Sequence, residues 1–150
     1  MNFPSNIPEL KLTDFKIFDK VLGIGAFGSV HLAKHLKSNA IFALKIINLA
    51  KLEGPIEHEF ARKEVVFHSK ANHKHIIKFH GIMKNNDTLY HVLEFAENGN
   101  LYKMMKKKPK MSESQVFRFF YQTLLALKYL HENGIMHRDI KVFITFFSKF

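Results

Sequence analysis

Residues 23–30 read Gly-Ile-Gly-Ala-Phe-Gly-Ser-Val, and this stretch decides how the first half of the chain folds. Three glycines at this spacing let a main chain come close to phosphate groups, with its amide groups directed at the ligand. Rossmann units share the spacing, but there a helix follows the glycines at once. Residues 27–35 instead continue as a strand, so Gly23, Gly25 and Gly28 are predicted to bridge two antiparallel strands. A plain glycine-rich hairpin is the alternative.

The order of predicted elements, five strands with one helix inserted after the third and then mainly helix, predicts an α+β fold of two unequal lobes. Alternation of apolar and polar residues predicts the strands, over 15–23, 27–35, 41–48, 76–83 and 89–96. A four-residue connection, 84–87, is expected between the last two strands. After the third strand a helix is predicted to begin at Pro55 and to end near Ala71. Its apolar residues at helical spacing predict the buried face, namely Ile56, Phe60, Phe67 and Ala71.

A long second helix is predicted over 112–132. Ser112 and Gln115 form a capping-box pattern at its start, and Gly134 stands where a helix-terminating residue is expected. Apolar residues at helical spacing predict its buried face, namely Val116, Phe119, Phe120, Leu124, Leu127 and Leu130. Residues 1–14 carry two prolines and little periodicity, and are interpreted as a short leader.

Lys45 lies in the apolar run of the third strand, where an ammonium group is costly without an anionic partner. An edge-strand lysine that extends to water is the alternative. Glu64 stands four residues after Phe60 and three before Phe67, so it is predicted to share the apolar face of the first helix. A lysine and a glutamate at apolar positions on adjacent elements are explained together by one ion pair between Lys45 and Glu64.

Composition excludes several classes of protein. Hydrophobic residues make up 47% and charged residues 24% of the 150 residues, as in a folded globular protein. The sequence contains no cysteine, which excludes a disulfide framework and makes an intracellular location, cytoplasmic or nuclear, the expectation. No run approaches the roughly 18 apolar residues of a membrane span. His73 and His75 have no third ligand at helical spacing, so no metal site is predicted.

The charge balance is strongly positive, with 23 Lys and Arg residues against 13 Asp and Glu residues and a net charge of +10. Only three of these cations are arginines, Arg62, Arg118 and Arg138. Bidentate contacts to bases depend on arginine, so specific nucleic-acid recognition is not expected. Binding of phosphates or of other polyanions through the lysines stays open.

A third motif, His137-Arg138-Asp139-Ile140-Lys141, follows the long helix. A carboxylate beside two cations suits the acceptance of a proton near phosphate groups. A solvated charge cluster is the alternative for these five residues alone. The glycine-rich loop, the Ala43-Leu44-Lys45 strand and this loop occur together in the order typical of eukaryotic protein kinases.

The chain from about Phe15 to Lys141 therefore resembles the N-terminal half of a eukaryotic protein kinase domain. Lys141, two places after Asp139, resembles the Ser/Thr branch, and residues 57–65 and His68 resemble the corresponding helix of Aurora-type kinases. The resemblance implies a small lobe and hinge over 15–96, the start of a large lobe over 97–141, and a non-family tail over 142–150.

The resemblance also implies roles for the matching residues, with ATP and magnesium as cofactors and a protein as substrate. Asp139 would accept the proton of the substrate hydroxyl, Lys141 would contact the γ-phosphate, and Lys45, paired with Glu64, would contact the α- and β-phosphates. The remaining nucleotide-binding residues would be Gly23, Gly25 and Gly28 over the phosphates, Val30 and Ala43 around the adenine, Leu93 as gatekeeper, and Glu94 to Ala96 as hinge.

The sequence departs from the family after Lys141, where Pro-Glu-Asn would continue. Ile144 stands in place of the expected metal-binding Asn, and no Asp-Phe-Gly follows within the 150 residues. The resemblance therefore implies a truncated kinase domain without its protein magnesium ligands and with little or no activity. Every valine codon begins with GT, so read-through of an intron at Val142 would explain the tail; a genuine short isoform is the alternative. A non-catalytic binding module is the other function the sequence allows.

Overall fold

The computed structural model describes residues 1–25, 27–107 and 110–140. The elements in chain order are β1 (Phe15–Gly25), β2 (Gly28–His35), β3 (Ile41–Asn48), α1 (Pro55–Lys70), β4 (Phe79–Asn85), β5 (Thr88–Glu94), α2 (Leu101–Lys107) and α3 (Glu113–Glu132), with short 3₁₀ helices at Leu12–Asp14 and Leu49–Lys51. They confirm the predicted α+β class. Two compact units result, one of residues 1–70 and 78–95 and the other of residues 71–77 and 96–150. None of the helices described is long and apolar enough to cross a membrane.

The first unit contains a five-stranded antiparallel sheet in the order β1-β2-β3-β5-β4. The connection between β4 and β5 is shorter than the predicted four residues, because Asn85 pairs with Thr88 and only Asn86 and Asp87 remain in the turn. Asn86 has a φ of 49°, a left-handed conformation that asparagine tolerates better than most residues. The residue types of the sequence predicted a turn here, but they did not fix its length.

Each face of the sheet has its own core. One cluster consists of Ile7, Ile47, Val65, Ile82 and Leu89, and lies on the face toward α1. The other consists of Ala33, Leu44, Met83 and Val92. Successive residues of a strand point to opposite faces, so the two clusters use alternate positions of β3, β4 and β5. The sheet is therefore buried on both faces along its central strands.

Residues 1–14, interpreted from the sequence as a leader, contribute to the first unit. The main-chain amide of Leu10 donates to the carbonyl of Ile82 at 2.8 Å, and the amide of Ile82 donates to the carbonyl of Pro8 at 2.9 Å. Glu9 thereby forms a parallel bridge with Ile82 of β4. The side chain of Ile7 is buried in the α1-facing core. This segment extends the sheet by a few residues beyond β4.

Gly81 is the residue of β4 that permits this close approach. Its φ is +151°, and a Cβ built on it would lie 2.5 Å from the carbonyl oxygen of Pro8. We expect Gly81→Ala to displace residues 1–10 and to lower the free energy of unfolding by about 1–3 kcal/mol, the usual cost of overpacking. Thermal unfolding of Gly81→Ala beside Gly54→Ala measures this, since a Cβ at Gly54 meets nothing within 4 Å. Equal stability of the two variants would contradict the expected clash.

Helix α1 buries a different face from the one predicted. Ile56, Phe60 and Phe67 are exposed by 67%, 56% and 45%. The buried residues of α1 are instead Ala61 and Val65. The prediction was wrong because residues at helical spacing occur on more than one side of α1, and spacing alone does not say which side packs.

In the second unit, α3 has the predicted capping box. The amide of Gln115 donates to the Ser112 hydroxyl, and the Gln115 side chain accepts from the Ser112 amide. Of the predicted buried face, Phe119 and Leu130 are buried. Val116, Phe120 and Leu124 are exposed, so that part of the prediction was wrong. The apolar stripe of α3 is thus only partly covered by the described residues.

Candidate functional site

The structure brings together Lys45 and Glu64, which the sequence predicted as an ion pair. Lys45 Nζ donates to Glu64 Oε1 at 2.5 Å, joining β3 to α1. The two side chains are exposed by 20% and 37%, so the pair is screened by solvent only in part. On α1, Glu64 has Ala61 and His68 one turn away on one side and Phe60 and Phe67 one turn away on the other. Ala61 is buried, whereas Phe60 and Phe67 are exposed, so Glu64 lies at the edge of the packed face.

Strand register places the predicted nucleotide-binding residues on the same face of the sheet as Lys45. Val30 is paired with Lys45 across β2 and β3, and Ala43 with Leu93 across β3 and β5. Residues paired directly across antiparallel strands share a face, and so do residues two apart on one strand. Val30, Ala43 and Leu93 therefore line the face from which the Lys45 ammonium group projects.

The three glycines lie at the hairpin between β1 and β2, as predicted. Gly23 and Gly25 belong to the end of β1, and Gly28 begins β2. Gly25 and Gly28 are paired, and Gly23 is paired with Val30. A Cβ at Gly28 would lie 1.9 Å from the carbonyl oxygen of Ile46, so only glycine fits there without a shift of the main chain. The third glycine thus has a packing role in addition to any ligand-binding role.

The predicted hinge residues lie at the end of β5. The Glu94 amide donates to the Lys78 carbonyl at 2.9 Å, and the Glu94 carboxylate accepts from the Lys78 amide at 3.0 Å. Both contacts fix the main chain of Glu94 beside β4. Ala96 belongs to the second unit, where its carbonyl accepts from the Gly99 amide at 3.0 Å.

Asp139 belongs to the second unit, in the segment after α3. Its amide donates to His137 Nδ1 at 3.4 Å, and the intervening Arg138 adopts a φ of 63°. A non-glycine residue in the left-handed region signals a constrained loop. Lys141 and Ile144 lie outside the described residues.

The charge state of Glu64 follows from two opposing effects. Burial alone would raise the pKa of its carboxyl group. The positive charge of Lys45, the electrostatic interaction with His91, the hydrogen bond from the Lys45 ammonium group and a smaller contribution from His68 together outweigh burial, so the pKa of Glu64 lies below its usual value. Glu64 is therefore a carboxylate at neutral pH, as an ion pair requires.

Sequence reasoning missed His91, which completes the site. It is paired with Lys45 across β3 and β5, and its side chain is 0% exposed. Its Nδ1 lies 3.8 Å from Glu64 Oε1, and neither ring nitrogen has a hydrogen-bond partner among the described residues. The available signal was a histidine inside the mainly apolar run of β5, at the position paired with Lys45.

Because His91 is buried, it is expected to lower the stability of the folded protein at acidic pH. Burial and the nearby Lys45 and His68 lower the pKa of His91 to about 4, although Glu64 acts in the opposite direction. An unfolded chain takes up this proton near the ordinary value of 6.5, so the unfolded state binds more protons between these two pH values.

We expect proton uptake by His91 in the unfolded chain to lower the free energy of unfolding by about 3 kcal/mol as the pH falls from 6.5 to 4, with no pH-dependent contribution above that range. Chemical denaturation of the wild type and of His91→Leu at pH 7.5 and 4.5 checks the sign. The variant should lose less stability in acid than the wild type. A parallel loss in the two proteins would show that other groups are responsible.

Comparison with known proteins agrees with this geometry. The model of the protein kinase domain family matches residues 16–143. The chain is similar to an Aurora kinase of Yarrowia lipolytica, with 39% identity over 87% of the chain and 35% of the relative. It is also similar to an Aurora kinase of Eremothecium gossypii, with 36% identity over 91% of the chain and 37% of the relative.

A third relative, the serine/threonine-protein kinase SIK2 of Gallus gallus, is 38% identical over 85% of the chain and 16% of its own length. The chain thus spans little more than a third of the Aurora kinases it matches and less of this third relative. Its order of motifs, its small-lobe sheet and its similarity over most of its length agree with one another. The chain belongs to the protein kinase domain family and is similar to the Aurora-type Ser/Thr kinases.

Proposed function

We propose that the chain is the ATP-binding part of a Ser/Thr protein kinase whose full-length form transfers the γ-phosphate of ATP to Ser or Thr of a protein. The observation that carries this proposal is the Lys45–Glu64 ion pair. It holds an ammonium group on the face of the sheet that also carries Val30, Ala43 and Leu93. An immobilised cation beside an apolar surface suits a ligand with a phosphate chain and a flat base.

The residues of the first unit fit a nucleotide. Lys45 would contact the α- and β-phosphates, and the hairpin of Gly23, Gly25 and Gly28 would cover them. Val30 and Ala43 would contact the adenine ring, next to Leu93 and Glu94. Ala96, the last of the predicted hinge residues, belongs to the second unit. Phosphoryl transfer depends on position and charge neutralisation more than on covalent chemistry, and these residues supply both in part.

Asp139 would accept the proton of the substrate hydroxyl, and Lys141 would contact the γ-phosphate. The residues present do not fit magnesium, because Ile144 offers no donor atom where an Asn ligand is expected and no Asp-Phe-Gly occurs within the 150 residues. We therefore propose that a polypeptide of these 150 residues binds ATP but has little or no transferase activity.

An ATP titration and a transfer assay with a generic basic protein test the two statements separately. We expect saturable ATP binding by the wild-type chain and no phosphate transfer above the level of Asp139→Asn. Robust transfer that depends on Asp139 would contradict the proposed inactivity. No binding of ATP would contradict the nucleotide site itself.

A non-catalytic binding module is the second candidate, favoured by the departure from the family pattern at Ile144. Such a module would bind an activator protein or compete with an active kinase. ATP binding without transfer, together with a stable stoichiometric complex with a protein, would favour it. Binding of unrelated polyanions, with an affinity that falls steeply with salt, would instead point to the lysines. The intracellular location, cytoplasmic or nuclear, remains part of the proposal.

A further inference from the structure

His91 is a buried polar residue that the proposed nucleotide site leaves without a function. Its imidazole is 0% exposed, and both ring nitrogens lack a hydrogen-bond partner among the described residues. Burial of unpaired polar atoms costs free energy, and a leucine would fill the same space without that cost. The presence of a buried polar side chain without hydrogen bonds therefore needs a physical explanation.

The surroundings of His91 point to Glu64. Three titratable or charged groups face the imidazole: Lys45 from β3, and Glu64 and His68 from α1. From β4 it meets Ile82, its cross-strand partner, and the ring of Phe79 at a centroid distance of 6.5 Å.

The distance of 3.8 Å between His91 Nδ1 and Glu64 Oε1 is too long for a hydrogen bond but short enough for a charge–dipole interaction. The same carboxylate oxygen accepts from Lys45 Nζ. It therefore lies between an ammonium group and an imidazole.

The protonation state of the imidazole decides how the two groups interact. Burial keeps His91 neutral at neutral pH, and the nearby carboxylate favours the tautomer with a proton on Nδ1. An N–H dipole directed at Glu64 stabilises its negative charge without competing strongly with Lys45. A protonated His91 would be a second cation beside the carboxylate and would compete with Lys45 for it.

We propose that His91 is a positioning residue for Glu64: its neutral imidazole holds the carboxylate against Lys45, and its protonation draws the carboxylate away. The proposal rests on the proposed nucleotide site, because Glu64 acts there through Lys45. Under this proposal, the position of the Lys45 ammonium group depends on His91 of β5 as well as on Glu64 of α1.

Two substitutions separate the polar contact from simple packing. His91→Asn retains an N–H donor near the place of Nδ1 but does not titrate. His91→Leu fills the space with apolar atoms and removes the donor. His58→Leu is the matched control, because His58 lies on α1 without a contact to Glu64 or Lys45.

The first measurement is ATP affinity at pH 7.5. We expect His91→Asn and His58→Leu to bind within about twofold of the wild type and His91→Leu to bind about three- to tenfold more weakly, which is less than the loss of a full hydrogen bond to a charged group. His91→Leu should at the same time be at least as stable to denaturant as the wild type. Wild-type affinity of His91→Leu, or an equal loss in His91→Asn, would overturn the proposal.

The second measurement needs no nucleotide, and so separates this inference from the proposed function. The carboxyl carbon of Glu64 is followed by NMR as the pH is lowered, together with the ring signals of His91 and His68. We expect the titration of Glu64 to move to higher pH in His91→Leu and not in His58→Leu. An unchanged Glu64 titration in His91→Leu would overturn the inference, whereas absence of ATP binding by the wild type with a shifted Glu64 titration would refute only the proposed function.

Discussion

Lys45→Met is expected to weaken ATP binding by about 10- to 100-fold, since it removes a charge-assisted contact to phosphate. The same substitution leaves the Glu64 carboxylate half-buried without its cation. Because Glu64 is 37% exposed, solvent compensates for much of that loss, and we expect the free energy of unfolding to fall by only about 1 kcal/mol. Isothermal titration and chemical denaturation measure the two effects on the same samples.

The control for this experiment is Lys20→Met, which removes an exposed lysine from β1. It should leave both affinity and stability near those of the wild type. Glu64→Gln should weaken binding less than Lys45→Met, and the double variant should bind no more weakly than Lys45→Met alone. Additive losses in the double variant would show that Glu64 does not act through Lys45, and this would contradict the proposed role of the pair.

Gly28→Ala is expected to damage the sheet and the nucleotide site together. Its Cβ would lie 1.9 Å from the Ile46 carbonyl oxygen and 2.9 Å from the Ile46 carbonyl carbon. Main-chain atoms cannot rotate away as a side chain does, so β2 must separate from β3 next to Lys45. We expect a loss of about 2–3 kcal/mol in the free energy of unfolding and weaker ATP binding in the folded fraction.

Gly23→Ala provides the matched comparison, because a Cβ at Gly23 meets nothing within 4 Å. It adds the same methyl group to the same hairpin, and should leave stability unchanged or slightly higher, by about 0.5 kcal/mol. Thermal unfolding of both variants, followed by ATP titration below the transition, measures the difference. Equal stability of Gly23→Ala and Gly28→Ala would contradict the close approach of β2 and β3 at Gly28.

The ion pair was predictable from the sequence because its two members are chemically out of place. Lys45 lies in an apolar run of β3 and Glu64 stands at helical spacing from Phe60 and Phe67, and opposite charges in such places compensate each other. The strands were predictable for a related reason, since apolar and polar residues that alternate with period two are typical of a half-buried strand. The prediction that the face with Phe60 and Phe67 is buried was wrong, although the predicted ion pair forms.

Three other features have no periodic pattern in the sequence that would predict them: the attachment of residues 1–14, the position of His91 and the exposed side chains of α3. Main-chain hydrogen bonds to Ile82 and Leu36, together with the buried side chain of Ile7, attach residues 1–14, and hydrogen bonds of the main chain do not depend on residue type. His91 is a single polar residue whose importance depends on strand register, which a pattern along one strand does not reveal. The exposure of the apolar residues of α3 depends on which other residues cover the helix, and the sequence of the helix itself does not specify them.

The attachment of residues 8–10 to Ile82 also bears on how the protein behaves in solution. An outer strand with bare amide and carbonyl groups is a template on which a second chain can add, and such addition leads to aggregates. Here the chain's own beginning occupies part of that template on β4. Shortening the polypeptide from its N-terminus would therefore be expected to reduce solubility before it affects any chemistry, and affinity tags fused at Met1 would best be joined through a flexible spacer.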